Sequence, residues 1–273
     1  MGRPARHPAA AVRQFQLHVF ELAYLLSLMR VESVAALPDA VLFPPDPDLR
    51  RKALAQGQKR LIDAGLLGEN ETGEGEYDST LLALAAAIAD PRCTVLTRLQ
   101  TPDGKRVHST TYLNRVHAVE VTQTGKQEFR VAALDGVADA VQRCRKAMGV
   151  PPLAAYEGAT AEAPIHEFQA ARAALAEGDT CTPVATFTQA GLPRDAAESF
   201  AAALATPETK GLVSVLKHAG GQVVGVRVLG LQRFEGASWL TMTRENGTAK
   251  VIVQAIDTDG FAGRLGQRIA ECL

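Results

Sequence analysis

The sequence contains one plan twice, and this duplication constrains the fold more than any other feature. Residues 79–148 begin with an Ala/Leu-rich helix that ends before Pro91, continue through three or four β-like runs, and close with an amphipathic stretch. Residues 195–273 repeat this order, with Pro207 after the helix. Two copies are too few for a solenoid, so the repeat predicts a pseudo-twofold domain.

The similarity between the copies lies in the order of the matched segments, because any two Ala-rich helices resemble each other. Three pairs of segments match in the same order: 85–91 with 201–207, 125–135 with 247–257, and 63–67 with 189–193. The shared order therefore favours an internal duplication over coincidence.

The β-like runs are separated by short turns such as Thr101-Pro-Asp-Gly-Lys105. Connections this short imply antiparallel neighbours. Helical apolar stripes precede and follow the runs in both copies. The sequence thus predicts the α+β class: a pseudo-twofold duplication with an antiparallel β-meander sheet and helices packed mainly on one face.

The predicted domain plan has four segments. They are a disordered leader at 1–13, a first α+β half at 14–148, a linker at 149–164 and a second α+β half at 165–273. The linker is placed where Pro and Gly are frequent and charge is sparse. The two halves are expected to form one compact unit.

Composition sets the broad class. With 47% hydrophobic and 22% charged residues, the 273-residue chain is an ordinary globular protein. A formal net charge of −1 gives no reason to expect a nucleic-acid or membrane-surface partner. No apolar run is long enough to cross a bilayer, and polar residues interrupt the place where a signal-peptide core would lie. A cytoplasmic location is therefore expected.

No catalytic or metal-binding pattern stands out. The four cysteines form no CxxC pair, and none of the six histidines has metal-ligand spacing. Asp257-Thr-Asp-Gly260 resembles the start of a calcium loop but lacks the distal Glu. The sequence therefore predicts a non-enzymatic protein without a cofactor, metal or disulfide.

An acidic, Gly-rich stretch at 68–78 has no counterpart in the second copy. Its four glutamates would repel a phosphate, and no Gly-Lys-Ser/Thr sequence follows. A mobile surface loop is the predicted structure.

A winged-helix DNA-binding regulator is the alternative function. Helices 48–64 and 79–90, followed by a hairpin at 95–116, have the order of that module. The second helix would have to read base edges, yet Thr80 to Ala89 contains no Arg, Lys, Asn or Gln. This composition favours a buried helix and weighs against the DNA-binding alternative.

The hairpin itself is the candidate partner-binding surface because it has a dense run of basic and aromatic residues. The nominated residues are Arg98, Lys105, Arg106, Tyr112 and Arg115. The competing interpretation is a solvated strand edge whose charges prevent aggregation.

Several segments together resemble a known family. They are 61–67, the helix ending at 85–91 before a meander, 171–177, 190–193, the meander with Gly220-Gly-Gln222, and 251–256 before an amphipathic helix. Over nearly the whole chain this layout resembles the EspG-type chaperones of type VII (ESX) secretion systems. The resemblance implies a cytosolic chaperone or adaptor that binds PE–PPE-like secreted helical substrates.

The implied mechanism is capture of an apolar helical tip by hairpin loops and uncovered strand faces. No motif that contacts substrate in the family matches particular positions here, so no binding residue is carried over.

Overall fold

The structure is a computed structural model of the chain. It describes residues 14–37, 39–69, 75–101, 103–152, 154–246 and 248–273. The predicted leader at 1–13 and residues 70–74 of the acidic stretch lie outside the described residues.

The described residues form helices and strands in comparable amounts. The helices are α1 Val19–Leu28, α2 Asp39–Leu42, α3 Pro47–Asp63, α4 Ser79–Ala89, α5 Val137–Met148, α6 Ile165–Ala176, α7 Cys181–Gln189, α8 Arg194–Ala205 and α9 Thr258–Ala270. The strands are β1 Gln14–His18, β2 Leu67–Glu69, β3 Gly75–Tyr77, β4 Cys93–Gln100, β5 Arg106–Leu113, β6 Ala118–Gln123, β7 Glu128–Leu134, β8 Thr160–Pro164, β9 Thr209–Ala219, β10 Gln222–Phe234, β11 Ala237–Asn246 and β12 Thr248–Ala255.

Ten of these strands belong to the large sheet, and β2 and β3 form a separate hairpin. Every strand pairing whose register is described is antiparallel. The predicted α+β class with an antiparallel meander is confirmed. By their contacts the residues divide into unit 1 (Met1–Pro91 and Thr111–Gly136) and unit 2 (Arg92–Thr110 and Val137–Leu273), with the boundary inside β5.

In unit 1, β7 lies between β1 and β6. Alternate residues of a strand point to opposite faces, and one face of β7 carries the buried Phe129 and Val131. Helices α1 and α4 contribute Leu22, Leu26 and Leu84 to the same core. At about 25 cal/mol per Å² of buried apolar surface, such side chains are the main stabilising contribution of this unit.

Unit 2 contains the order β4-β9-β10-β11-β12-β8. Helices α6, α7 and α8 cover one face, where Phe187, Phe200 and Trp239 form an aromatic cluster. On the opposite face, the Cys144 sulfur of α5 lies 3.4 Å from the Thr97 hydroxyl oxygen of β4. In unit 2, α6, α7 and α8 thus pack on one face, while α5 and α9, joined by the Arg145–Asp259 ion pair at 3.5 Å, lie on the opposite side.

The duplication is visible in the strand pairing. In each copy the short strand that precedes the helices pairs with the last strand of the meander: β1 with β7, and β8 with β12. The first meander strands, β4 and β9, pair with each other, and Thr97 lies opposite Val213. Each is the sixth residue after its helix-ending proline, Pro91 or Pro207. Antiparallel pairing centred on equivalent residues is what a pseudo-twofold axis requires, so the predicted duplication is confirmed.

Two local structures differ from the sequence expectation, and a third segment was ambiguous in the sequence. The acidic stretch at 68–78, predicted as a loop, includes most of β2 and all of β3. These two strands pair, and the buried Leu67 lies opposite Tyr77. The range predicted as linker contains β8. The segment from Thr182 to Gln189, which has no clear period, belongs to α7. No described helix is both long enough and apolar enough to span a membrane.

Candidate functional site

A strip of unit 2 sheet carries apolar side chains that no helix covers. The register places Leu212 of β9 between Arg98 of β4 and Gly230 of β10. Leu212 is 38% exposed. A Cβ at Gly230 would lie 2.4 Å from the Thr241 hydroxyl oxygen, so the Thr241 side chain occupies the space above this glycine.

The strip continues along β9 and β10. Leu216 lies opposite Val226, which is 47% exposed, and Leu96 lies opposite Ser214 on the same side of the sheet. We call this side of β4, β9 and β10 the open face; its members are Leu96, Arg98, Leu212, Leu216, Val226 and Val228. Contiguous exposed apolar surface of this kind is typical of a protein-binding site.

The hairpin between β9 and β10 extends the apolar surface to its tip. Gly220 and Gly221 form the two-residue turn, and both have a positive φ, which this tight connection demands. Beyond the turn, Val223 and Val224 are exposed, and the register shifts at this point through a bulge. A bulge changes the direction of side chains near the end of a strand. The tip of this hairpin therefore exposes valines, whereas the ends of surface hairpins usually carry polar residues.

A basic groove of about 310 Å³ adjoins Leu212. Its side chains come from β4, β5 and β9: Arg98, Gln100, Arg106, His108, Lys210 and Leu212. Arg98, Arg106 and Lys210 are exposed, and among the described residues none of the three forms an ion pair. The lining contains no carboxylate, so the groove concentrates positive charge in a protein whose net charge is −1.

The nearest acidic groups in sequence are directed elsewhere. Asp103, in the β4–β5 turn, accepts hydrogen bonds from the Thr101 hydroxyl and from the Lys105 amide. These bonds hold the pKa of Asp103 below its usual value. Glu208, before β9, accepts from the Glu235 amide at 3.2 Å. Neither carboxylate lines the groove, and both are already hydrogen-bonded within turns.

A second groove, of about 270 Å³, continues from the basic one. The two share Lys210, Gly211 and Leu212, and the second runs below Phe168 of α6 and past Gly230. The cations of the basic groove thus lie next to a second groove that apolar residues such as Phe168, Leu204 and Val228 help to line. A further, separate groove of about 620 Å³ lies between α7 and α8, where Val184 and Ala201 line it beside Arg194 and Glu198, an ion pair at 3.0 Å.

The structure separates the five nominated residues. Arg98 and Arg106 both line the basic groove. Lys105 is exposed in the adjacent turn but does not line it. Arg115 is exposed in the turn after β5 and belongs to unit 1.

Tyr112 corrects the expectation of an exposed aromatic residue. Its side chain is fully buried in the core of unit 1, and its hydroxyl donates to the carbonyl oxygen of Ala35 at 2.7 Å. The residue lies on the inward-facing part of β5, where burial of the ring outweighs exposure of the phenol. Tyr112 is therefore a structural residue and offers no surface to a partner.

Sequence reasoning missed Lys210 and Leu212 as members of the site. Both lie on β9, where buried and more exposed residues alternate from Thr209 to Leu216. This alternation is a readable signal. The start of the strand at Thr209, close after Pro207, cannot be read from the sequence.

The winged-helix alternative is not favoured by α4. Its buried residues are Leu81, Leu84, Ala85, Ala87 and Ile88, and no side chain from Thr80 to Ala89 is fully exposed. A recognition helix must present an exposed polar face to the major groove. Here α4 is a core helix.

Comparison with solved structures shows which class of protein has this fold. The chain is similar to the Mycobacterium tuberculosis type VII secretion system chaperone EspG5, solved in complex with a PE25–PPE41 dimer, with a TM-score of 0.69 and 13% identity. The similarity covers 96% of this chain and 97% of that one. The chain therefore has the EspG-type fold indicated by the sequence.

Comparisons at the level of sequence gave no match. No family model matches the chain, and no curated protein matches it.

Proposed function

We propose that the protein is a non-enzymatic, cytoplasmic chaperone or adaptor that binds a secreted protein through an exposed helical segment. The observation that carries the proposal is the open face, with Leu212 and Val226 exposed beside a groove lined by cations. Helices cover the opposite face of this part of the sheet, whereas the open face leaves apolar side chains in contact with solvent, which lowers the solubility of the protein. Binding of a partner protein would remove that cost.

The fold supports this class of function. The similar EspG5 chaperone is a type VII secretion protein that was solved with a PE–PPE dimer bound. A fold can serve more than one function, so the role rests on the open face rather than on the likeness alone. An amphipathic helix laid on apolar strand surface is an established way for a protein to recognise a helical segment.

In this proposal the apolar and basic parts of the site have different roles. Leu212, Val226 and the valines of the β9–β10 tip bury apolar side chains of the partner, which provides most of the affinity. Arg98 and Arg106 lie beside this surface and set the orientation of the partner. Lys105 and Arg115 are peripheral to it.

The experiment is affinity capture of the tagged full chain from lysate of its native cells, at low and high salt, with mass spectrometry of the bound proteins. The matched variant is Leu212→Asp, which places a charge on the open face at an exposed position. We expect the wild type to retain a helical secreted protein in a stoichiometric amount at high salt, and Leu212→Asp to lose it. Retention of the same partner by both proteins would show that the open face is not the binding site.

The same capture distinguishes the winged-helix alternative. Nucleic acid that is retained at low salt and released at high salt would favour DNA binding, because phosphate contacts weaken steeply with salt. Recovery of the chain without any bound macromolecule would contradict the chaperone proposal.

A further inference from the structure

We propose that the basic groove selects acidic helical segments: the partner side chain that enters beside Leu212 is flanked by Glu or Asp residues. This inference rests on the proposed function and specifies the chemistry of the partner. The groove, with Arg98, Arg106 and Lys210 around one exposed leucine, is the feature that carries it.

The basic groove concentrates positive charge without compensation. Three cations line one groove of about 310 Å³, and none of them has an ion-pair partner among the described residues. Clustered like charges repel each other, and a partner carboxylate would relieve this repulsion. Elsewhere in unit 2, Arg244 and Lys250 share the carboxylate of Glu162, at 2.9 and 3.5 Å. The groove instead brings three cations together with no carboxylate in its lining.

One cation of the groove lies beside the exposed leucine. Arg98 lies directly opposite Leu212 on the neighbouring strand, so the guanidinium and the exposed leucine side chain share one face of the sheet. A guanidinium is planar and binds a carboxylate through two hydrogen bonds. A helix that places a leucine on Leu212 has residues three and four positions away on the same side, and a carboxylate at such a position lies next to the basic groove.

The groove lining favours a protein segment over nucleic acid. Proteins that bind single-stranded nucleic acid stack the bases on aromatic side chains, and this groove has no Phe, Tyr or Trp in its lining and only the imidazole of His108 as a ring. Its floor is Leu212, and it continues into a second groove lined by Leu204, Val228 and Met242. Cations that lead into an apolar channel fit an acidic amphipathic helix better than a phosphate backbone.

The test uses two fluorescein-labelled, helix-forming peptides of about 20 residues, roughly 30 Å long. One is built from Leu, Ala and Glu, and the other has Gln at every Glu position. Binding to the full-length protein is followed by fluorescence anisotropy. We expect the acidic peptide to bind about tenfold more tightly, the factor that one charge-assisted hydrogen bond supplies.

Two variants and one salt series identify the source of that preference. The Arg98→Gln/Arg106→Gln double variant is expected to bind both peptides equally, whereas Arg92→Gln, an exposed arginine of the same unit outside the groove, keeps the tenfold ratio. Raising NaCl from about 0.1 M to 1 M, which shortens the Debye length from about 10 Å to 3 Å, is expected to lower the ratio for the wild type.

Each remaining outcome overturns the inference. Equal affinity of the two peptides for the wild type, a ratio unchanged in the double variant, absence of acidic-peptide binding, or tighter binding of a thymidine oligonucleotide would each do so. Failure of the inference and failure of the proposed function are distinguishable. If the native partner is still lost on Leu212→Asp while the peptides show no charge preference, the chaperone function stands and only the acidic selectivity is wrong.

Discussion

The hydroxyl of Tyr112 donates a 2.7 Å hydrogen bond to the carbonyl oxygen of Ala35. Ala35 belongs to the connection between α1 and α2, and the next residue, Ala36, has a φ of +69°. A left-handed conformation costs about 1 kcal/mol at a non-glycine residue, so this connection depends on contacts that hold it in place. The buried phenol is one such contact.

Tyr112→Phe removes this hydrogen bond and keeps the ring. Because the Ala35 carbonyl then loses a partner inside the protein, we expect the free energy of unfolding to fall by about 1 kcal/mol. Urea denaturation followed by circular dichroism measures the change. Tyr156→Phe is the matched control, since the Tyr156 ring stacks on Trp239 and no described hydrogen bond involves its hydroxyl. Equal losses for the two variants would contradict the prediction.

Gly57 is the point of closest approach between α1 and α3. A Cβ at this position would lie 2.0 Å from the Phe20 carbonyl oxygen, far inside van der Waals contact, and the obstacle is backbone. Gly57→Ala must therefore separate the two helices, and overpacking of this kind costs about 1–3 kcal/mol. The expected result is a lower midpoint of thermal and urea unfolding.

Gly263 provides the control for Gly57. It lies in the interior of α9 and is exposed, and a Cβ at this position would meet no neighbouring element within 4 Å. Alanine favours a helix over glycine by about 0.8–1 kcal/mol, so Gly263→Ala is expected to stabilise the protein. If Gly57→Ala stabilises the protein as Gly263→Ala does, or leaves its stability unchanged, the α1–α3 contact is not close.

The duplication could be predicted because its signals are local and ordered. Helix-ending prolines at 91 and 207, turn sequences between β-like runs, and a closing apolar stripe are each readable from a few residues. The pairing of β4 with β9 about Thr97 and Val213 follows once two similar halves must share one sheet. The fold was therefore largely accessible from the sequence.

The site was harder to predict from the sequence than the fold, because the exposure of a side chain depends on how distant segments pack around it. Tyr112 and Arg106 lie in the same predicted hairpin, yet one is in the core and the other in the groove. Lys210 joins the site through pairing with a strand more than 100 residues away, and Leu212 lies between Arg98 of that strand and Gly230 of the next one. No local pattern contains these relationships.

The four cysteines are expected to react at very different rates. Cys181 is exposed at the start of α7, whereas Cys93 and Cys272 are buried. Burial raises the pKa of the Cys93 thiol, as does the neighbouring Cys272, and burial also raises the pKa of Cys272. A thiol reacts as its thiolate. Both buried thiols are therefore expected to react slowly, because the reagent cannot reach them and because they stay protonated.

Iodoacetamide at pH 8 followed by peptide mass spectrometry tests this order. In the native protein Cys181 is expected to be alkylated first, with Cys93, Cys144 and Cys272 modified only after denaturant is added. The Cys181→Ser variant should take up no label in the native state over the same period. Early modification of Cys93 would contradict its position at the buried start of β4.

The stability of unit 1 is expected to fall in alkaline solution because of Tyr24. Its hydroxyl lies 3.3 Å from that of Tyr77; burial, the hydrogen bond with Tyr77 and the charge of Tyr77 together raise the pKa of Tyr24 to about 12. An unfolded tyrosine has a pKa of about 10. Between these values the folded protein holds a proton that the unfolded chain releases, so stability is full below pH 10 and is lost as pH rises toward 12.

Urea midpoints measured at intervals from pH 9 to about pH 12 test this, with Tyr24→Phe as the variant and Tyr156→Phe as the control. The other tyrosines contribute to the alkaline slope in all three proteins, so the informative quantity is the difference between them. Tyr24→Phe has no phenol to ionise at this position, and its stability is expected to decline less steeply with pH than that of the wild type or of Tyr156→Phe. Parallel declines in the three proteins would mean that the Tyr24 phenol ionises as easily in the folded state as in the unfolded chain, and would contradict its burial against Tyr77.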